Sequence, residues 1–90
     1  MEIRIKAVVK GFVQGVGFRY YCYRKAEGYN LRGYVKNLFD GSVEVEAEGD
    51  KNLLNDFIKD LRIGPVNASV KSVTFEELPF ENKYSEFRIH

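Results

Sequence analysis

Apolar and polar residues alternate along three segments of the chain, and this period of two predicts strands with one buried face. The first segment places Ile3, Ile5, Ala7 and Val9 between Arg4, Lys6, Val8 and Lys10. A second short strand is predicted over residues 31–36. The third segment places Val43, Val45 and Ala47 between Glu44, Glu46 and Glu48. Because an Asp-Gly turn at residues 40–41 separates the last two segments, residues 31–48 predict a β-hairpin with Asn37 at the head of its connection.

Two further segments repeat apolar residues every three or four positions, which is the spacing of one helix face. The first helix is predicted to begin at about Phe18, and its apolar face holds Phe18, Cys22, Ala26 and Tyr29. Gly28 and Asn30 are expected to end this helix. The second helix has Asp50 as its predicted N-cap and the Gly64-Pro65 pair as its end. Its apolar face holds Leu53, Leu54, Phe57, Ile58 and Leu61.

The remaining residues predict two more strands and complete a recognisable order of elements. Residues 70–75 form a strand whose inward face changes register between Val70 and Val73, which predicts a bulge or bend. Residues 78–84 are typical of a loop, and Phe87 and Ile89 lie in a short last strand. The order β-α-β-β-α-β plus a final strand is typical of the α+β, ferredoxin-like split β-α-β sandwich. We expect an antiparallel sheet with two helices on one face and a fairly polar opposite face. That polar face would carry Arg4, Lys6, Arg32, Lys36 and the three glutamates of the hairpin.

Length, composition and charge narrow the class of protein. Ninety residues with 44% hydrophobic content predict one packed domain over residues 1–90. No apolar stretch approaches the roughly 20 residues that span a bilayer, and the alternating start lacks the apolar core of a signal peptide. A single cysteine cannot form a disulfide within a monomer, and a net charge of +1 provides no broad field for nucleic acid or anionic lipid. We therefore predict a cytoplasmic monomer with no nucleic-acid and no membrane partner.

This fold hosts enzymes, metal carriers and RNA binders, so function has to be argued from particular residues. A metal carrier needs a cysteine pair at loop spacing, whereas this chain has only Cys22 and one histidine, His90. We expect Cys22 to be a buried thiol and His90 to lie in a frayed terminus. An RNA-binding sheet presents stacking aromatics, but the third strand here presents glutamates, which would repel phosphates. No metal site and no cofactor are predicted.

The segment VQGVGFR, residues 13–19, carries the most informative chemistry of the chain. Two glycines allow positive φ and close approach to a ligand, so several main-chain N–H groups can point at one anion. A helix that begins at Phe18 would direct its positive dipole end at the same place. Arg19 would then lie in the first helical turn, where its planar guanidinium can bind two phosphate or carboxylate oxygens. The simpler interpretation is a strand-to-helix turn with an exposed arginine.

Three motifs together resemble the acylphosphatases, in particular their small microbial members. These motifs are GFVQGVGFRYY, GYVKNLFDGSVEVEAEG and YSEFRI, and the resemblance covers nearly the whole chain. It implies a metal-free hydrolase of carboxyl-phosphate mixed anhydrides, such as small acyl phosphates or carbamoyl phosphate. Arg19 matches the family's phosphate-binding arginine, and Asn37 matches its water-positioning asparagine. The residues that match the family's phosphate-binding loop are Gln14, Gly15, Val16, Gly17 and Phe18.

The chemistry of acyl phosphates is compatible with this small set of residues. The leaving carboxylate has a conjugate acid with a pKa of about 4, so protonating it contributes little. Phosphoryl transfer passes through a loose transition state that makes little demand on the nucleophile. Arg19 and the loop N–H groups would supply anion binding, and the amide of Asn37 could orient a water. On position alone, Asn37 could equally be a turn residue at the end of a hairpin strand.

Two other functions remain open at this point. The first is a non-catalytic module that binds phosphate or another anion in the same loop. Asn37 argues against it, because a pure binder has no use for a water-orienting amide. The second is a free-standing homologue of the acylphosphatase-like domain of the hydrogenase-maturation carbamoyltransferase, which handles carbamoyl phosphate. Inorganic phosphate or sulfate is expected to compete with the substrate, whose acyl group the sequence does not identify.

Overall fold

The computed structural model describes residues 1–90 and contains five strands and two helices. Their bounds are β1 Glu2–Phe12, α1 Phe18–Gly28, β2 Arg32–Asn37, β3 Val43–Asp50, α2 Lys51–Ile63, β4 Ser69–Leu78 and β5 Phe87–Ile89. The strands form one sheet in the order β4-β1-β3-β2-β5. The predicted βαββαβ order with a short final strand is therefore confirmed, as is the ferredoxin-like fold. Neither helix is long and apolar enough to cross a membrane.

The sheet is mixed, because β5 pairs with β2 in parallel while the pairs β1–β3, β1–β4 and β2–β3 are antiparallel. The expectation of a purely antiparallel sheet is wrong at this one strand. After β4, at one edge of the sheet, the chain crosses to the far side of β2 and stays at the same end of the strands. A strand that starts at that end must run antiparallel to β4, and this direction makes β5 parallel to β2.

Helices α1 and α2 cover one face of the sheet and enclose the apolar core. Phe18, Cys22 and Ala26 of α1 are buried, whereas Tyr29 is only partly so. Burial raises the pKa of the Cys22 thiol, which agrees with the predicted buried thiol. Helix α2 buries Leu54, Phe57, Ile58 and Leu61. Its N-cap is Asp50, whose carboxylate accepts hydrogen bonds from the N–H groups of Asn52 at 3.1 Å and Leu53 at 3.2 Å.

The predicted irregularity in β4 is present as a bulge beside β1. Lys10 pairs with Ser72 and Gly11 pairs with Val70, so Lys71 has no partner of its own across the ladder. The extra residue changes which side chains of β4 face the core, as the spacing of Val70 and Val73 indicated.

The opposite face of the sheet carries the polar residues that were expected, but part of it is covered. Residues 79–86, which we call the strap, lie across it and bury two of its glutamates, with 4% exposure at Glu46 and none at Glu48. The Glu48 carboxylate accepts hydrogen bonds from three successive strap N–H groups, those of residues 81–83, at 2.8, 2.8 and 2.9 Å. Charged residues are rarely buried without partners, and here the partners belong to a segment distant in sequence.

Glu46 is satisfied by a different set of groups. Its carboxylate accepts a hydrogen bond from the Tyr84 hydroxyl and lies 3.2 Å from Lys83 Nζ and 3.4 Å from Arg4 Nη1. Burial alone would raise the pKa of Glu46, but the hydrogen bonds from Tyr84 and Lys83 and the charge of Arg4 outweigh it. The pKa of Glu46 therefore lies below its ordinary value.

Candidate active site

The loop between β1 and α1 turns at two glycines in the left-handed region. Gly15 has φ 74°, and Gly17 has φ 81° and ψ 14°. Gly17 is also the N-cap of α1, and no side chain caps this helix. The main-chain N–H groups of Gly15, Val16 and Gly17 donate to no protein acceptor. The loop and the start of α1 therefore present unpaired donors together, which is the arrangement that favours an anion.

These donors border a pocket of about 230 Å³. The residues that line it are Val13, Gly15, Gly17, Phe18, Arg19, Tyr20, Asn37 and Ile89. The pocket thus combines the end of β1, the first turn of α1, the end of β2 and strand β5. Arg19 and Asn37, 18 residues apart in sequence, both line it.

Arg19 lies in the first turn of α1 and is half-buried. Its Nη1 donates a hydrogen bond of 2.8 Å to the main-chain oxygen of His90. The N–H of His90 in turn donates to the Val35 oxygen at 2.8 Å, and its imidazole packs against the Tyr34 ring with 5.6 Å between centroids. The expectation of a frayed His90 is therefore wrong, because two contacts hold it against β2 and a third joins it to Arg19 of α1. A guanidinium has five N–H donors, so one bond to His90 leaves others for a ligand.

Asn37 is the last residue of β2, and its side-chain oxygen Oδ1 is buried without a hydrogen-bond partner. Buried polar atoms are nearly always paired, and the buried side-chain atoms without a hydrogen-bond partner are Oδ1 of Asn37 and Nε and Nη2 of Arg32. The hairpin alone would not require this arrangement, since the turn is held by other residues. The sequence pattern located Asn37 at the strand end but could not show that its amide oxygen is unpaired.

Gln14 is placed differently from the rest of the predicted phosphate-binding loop. Its Nε2 donates to the main-chain oxygens of Leu38 and Ser42, at 2.8 Å each. The side chain therefore connects the glycine loop to the β2–β3 connection, directly beside Asn37. Only the main-chain N–H of Gln14 remains available for an anion. Sequence reasoning did not identify this contact, because nothing in either segment signals that the two meet.

The other two non-glycine residues of the predicted loop, Val16 and Phe18, contribute packing. Phe18 is fully buried, and Val16 packs against the core while remaining partly exposed. These side chains fix the course of the loop between β1 and α1. Any contact that either residue makes with an anion must come from its main-chain N–H.

The β2–β3 connection is fixed by hydrogen bonds of its own. The Asp40 carboxylate accepts bonds from the hydroxyl and the main-chain N–H of Ser42, and these bonds hold the pKa of Asp40 below its ordinary value. Phe39 in the same connection is fully exposed. A second cavity of about 450 Å³ lies there and shares Asn37 with the first. It is lined by Gln14, Lys36, Asn37, Leu38 and Phe39.

Comparison with known proteins decides the family. The acylphosphatase family model matches residues 5–89. The chain belongs to the acylphosphatase family. The acylphosphatase of Chlorobaculum tepidum is 44% identical over 88 residues, which cover 98% of this chain and 96% of that protein. The crystal structure of the Bacillus subtilis acylphosphatase superposes with a TM-score of 0.95 at 35% identity and covers 98% of both chains. The predicted resemblance and the prediction of an acylphosphatase enzyme are thereby confirmed.

One similar structure relates this acylphosphatase fold to a larger protein. HypF of T. kodakarensis matches with a TM-score of 0.84 at 37% identity, over 98% of this chain but only 12% of the HypF chain. The match to the acylphosphatases extends over almost the full length of both aligned chains, whereas the match to HypF is confined to one part of the HypF chain.

Proposed function

We propose that this acylphosphatase hydrolyses acyl phosphates to a carboxylate and inorganic phosphate, with Arg19 and the loop N–H groups binding the phosphoryl group and Asn37 orienting the attacking water. The buried, unpaired Oδ1 of Asn37 carries the proposal. Asn37 lines the same pocket as Arg19 and the glycines. A module that only bound phosphate would gain nothing from an amide oxygen held without a partner.

The phosphoryl group would be bound by charge and by directed main-chain donors. In the loose transition state, negative charge is spread over the phosphoryl oxygens. Preorganised donors directed at those oxygens stabilise that charge without reorganisation during the reaction. Arg19 contributes a positive charge with several donors, and the loop N–H groups add the positive end of α1.

The water would be activated by orientation rather than by a strong base. Oδ1 of Asn37 can accept one hydrogen of the water and direct a lone pair of its oxygen at phosphorus. As the water oxygen bonds to phosphorus, the bond from phosphorus to the carboxylate breaks, and the proton that the water loses passes to a phosphoryl oxygen or to solvent. The leaving carboxylate needs no proton, so a neutral amide is sufficient for this reaction. The unpaired oxygen supports this role, because it has no hydrogen bond within the protein to lose when it accepts one from a water.

We further propose that the reaction needs no metal ion. In P-loop and kinase sites, a magnesium ion neutralises the phosphoryl oxygens, and here Arg19 and the main-chain donors would do so. Inorganic phosphate and sulfate should compete for the same donors. The cytoplasmic location and the monomeric state stay predictions of the sequence.

Phosphate release from acetyl phosphate and benzoyl phosphate, measured with purified protein in excess EDTA, tests this proposal. We expect steady-state turnover in EDTA and competitive inhibition by inorganic phosphate. Activity that disappears with EDTA and returns with a divalent ion would contradict metal independence. Tight phosphate binding without turnover of either substrate would favour the anion-binding module.

A further inference from the structure

Glu48 is the most completely buried charged group of the molecule, and it lies far from the pocket on the opposite face of the sheet. Glu48 lies on β3, where it pairs with Arg4 of β1 on one side and with Arg32 of β2 on the other. Its two carboxylate oxygens accept three main-chain hydrogen bonds from the strap. Charge-assisted bonds of this kind are stronger than neutral ones, so Glu48 is a strong anchor of the strap, beside the contacts that Tyr84 and Lys83 make with Glu46.

The strap leads directly to the contact that orients Arg19. It ends where β5 begins, and β5 is a three-residue edge strand that pairs only with β2. His90 follows β5 and accepts the Arg19 hydrogen bond on its main-chain oxygen. Three residues of edge strand offer few hydrogen bonds, so the segments before it contribute to the position of His90 together with the contacts of His90 itself.

Tyr34 on β2 makes a second link between the strap and His90. Its ring contacts the ring of Tyr84 in the strap, with 6.1 Å between centroids, and the imidazole of His90, at 5.6 Å. The Tyr34 hydroxyl donates to the Glu44 carboxylate at 2.7 Å, which fixes the ring on the sheet. A displaced strap would therefore disturb His90 through the chain and through this aromatic contact.

We propose that Glu48 is a positioning residue for Arg19, acting through the strap, β5 and the main-chain oxygen of His90. The inference rests on the proposed role of Arg19 in binding the phosphoryl group. The guanidinium lies at the end of a long side chain with many rotamers, and the His90 oxygen is its one hydrogen-bond acceptor in the protein. Loss of the Glu48 anchor lets that oxygen move, and Arg19 then samples orientations that do not bind phosphate.

A double-mutant cycle with Glu48→Gln and Arg19→Ala tests this coupling. Glutamine keeps the shape of the side chain, but it has one acceptor oxygen in place of two and no charge. We expect Glu48→Gln to lower kcat/KM about 10-fold and to weaken inhibition by phosphate by a similar factor. In the Arg19→Ala background the same change should alter kcat/KM by less than about 2-fold, because the residue it positions is absent.

Two control variants separate positioning from general loss of stability. Glu77→Gln removes an exposed carboxylate that pairs only with Lys51, and Ile58→Val truncates the core on α2 without touching the strap. Both should leave the phosphate inhibition constant unchanged. If Glu48→Gln does not fold, Tyr34→Leu replaces it in the double-mutant cycle with Arg19→Ala. This variant keeps the buried carboxylate and breaks the contact with His90, and the same changes in kcat/KM and phosphate inhibition are expected.

The outcomes distinguish this inference from the proposed function on which it rests. Equal losses of kcat/KM from Glu48→Gln in both backgrounds, or an unchanged phosphate inhibition constant, would overturn the inference alone. Wild-type kinetics in Arg19→Ala would overturn the proposed function, whatever Glu48→Gln does. A loss of kcat/KM from Glu48→Gln that disappears in the Arg19→Ala background, together with weaker phosphate inhibition, supports both the inference and the proposed function.

Discussion

The two helices of this protein begin in different ways. At the start of α2, the Asp50 carboxylate accepts hydrogen bonds from the N–H groups of Asn52 and Leu53. At the start of α1, Gly17 stands in the left-handed region and no side chain caps the helix. Both ends carry unpaired donors and the positive end of a dipole. In α2 the chain satisfies them with its own carboxylate, and in α1 it leaves them facing a pocket with Arg19 and Asn37.

The start of α2 is arranged to stabilise its helix, whereas the start of α1 leaves its donors available for a ligand. A carboxylate at the N-cap stabilises a helix by about 1 kcal/mol, and α1 forgoes that contribution. The donors that remain unpaired at α1 can instead bind an external anion, and Asn37 adds an unpaired acceptor beside them. The comparison predicts that changes at the start of α1 reduce activity, whereas changes at the start of α2 reduce stability alone.

Arg19→Lys should have the largest effect on activity. Lysine keeps the positive charge but loses the planar guanidinium that binds two oxygens at once. We expect kcat/KM to fall by at least about 10², or roughly 3 kcal/mol, by analogy with the loss of an oxyanion donor. Steady-state hydrolysis of benzoyl phosphate measures the loss, and circular dichroism reports whether the variant is folded.

Arg24→Lys is the matched control for this prediction. Arg24 lies further along α1, is exposed and contacts only the Tyr20 side chain. Its replacement should leave kcat/KM within about 2-fold of the wild type, since surface substitutions rarely exceed 0.5 kcal/mol. Similar losses in both variants would mean that the loss is not specific to the position of Arg19.

Asn37→Ala should lower kcat by roughly 10² while phosphate affinity changes only a few-fold, because the proposed role of the amide is to orient the water and not to bind the phosphoryl group. Asn37→Asp should not restore activity, since its negative charge would face the phosphoryl group and oppose substrate binding. Asn55→Ala, at an exposed position of α2, is the control. A folded Asn37→Ala variant with the kcat of the wild type would assign Asn37 to the turn alone.

Gly17→Ala should reduce kcat/KM about 10-fold, because small displacements in a binding loop are costly. An added Cβ at Gly17 meets no atom within 4 Å, so the cost comes from φ 81° and not from a clash. Gly28→Ala is the matched control, since that glycine also has open space but no positive φ. Activity and urea-unfolding curves of both variants measure the difference. Equal activity in the two would contradict a role for the loop geometry.

Much of this fold was predictable because its signals are local. The alternation in β1 and β3, the helix face of α2 and the Asp50 N-cap depend on neighbouring residues, and the structure confirms them. The approach of Arg19 and Asn37 was predictable from the motifs of the family. The hairpin places Asn37 at one end of β2, and the glycine loop lies at the same end.

The features that sequence reasoning missed depend on contacts between distant segments. The parallel β5 is three residues long and has no hairpin partner to set its direction. Glu48 alternates with apolar residues like an exposed side chain, and only the strap makes it buried. His90 looked frayed because its partners, Arg19 and Val35, lie far away in sequence. Such contacts depend on where the loops cross, which no local pattern specifies.

Asp50→Ala should have the smallest effect on activity and a clear effect on stability. Removing the N-cap leaves two N–H groups of α2 without their acceptor, so the free energy of unfolding should fall by about 1 kcal/mol. Asp50→Asn keeps an acceptor oxygen at the cap and should lose less, which separates the hydrogen bonds from the charge. Urea unfolding gives the stability, and kcat and KM should stay within about 2-fold of the wild type. A loss of activity as large as that of Gly17→Ala would mean that the two helix starts are not functionally distinct.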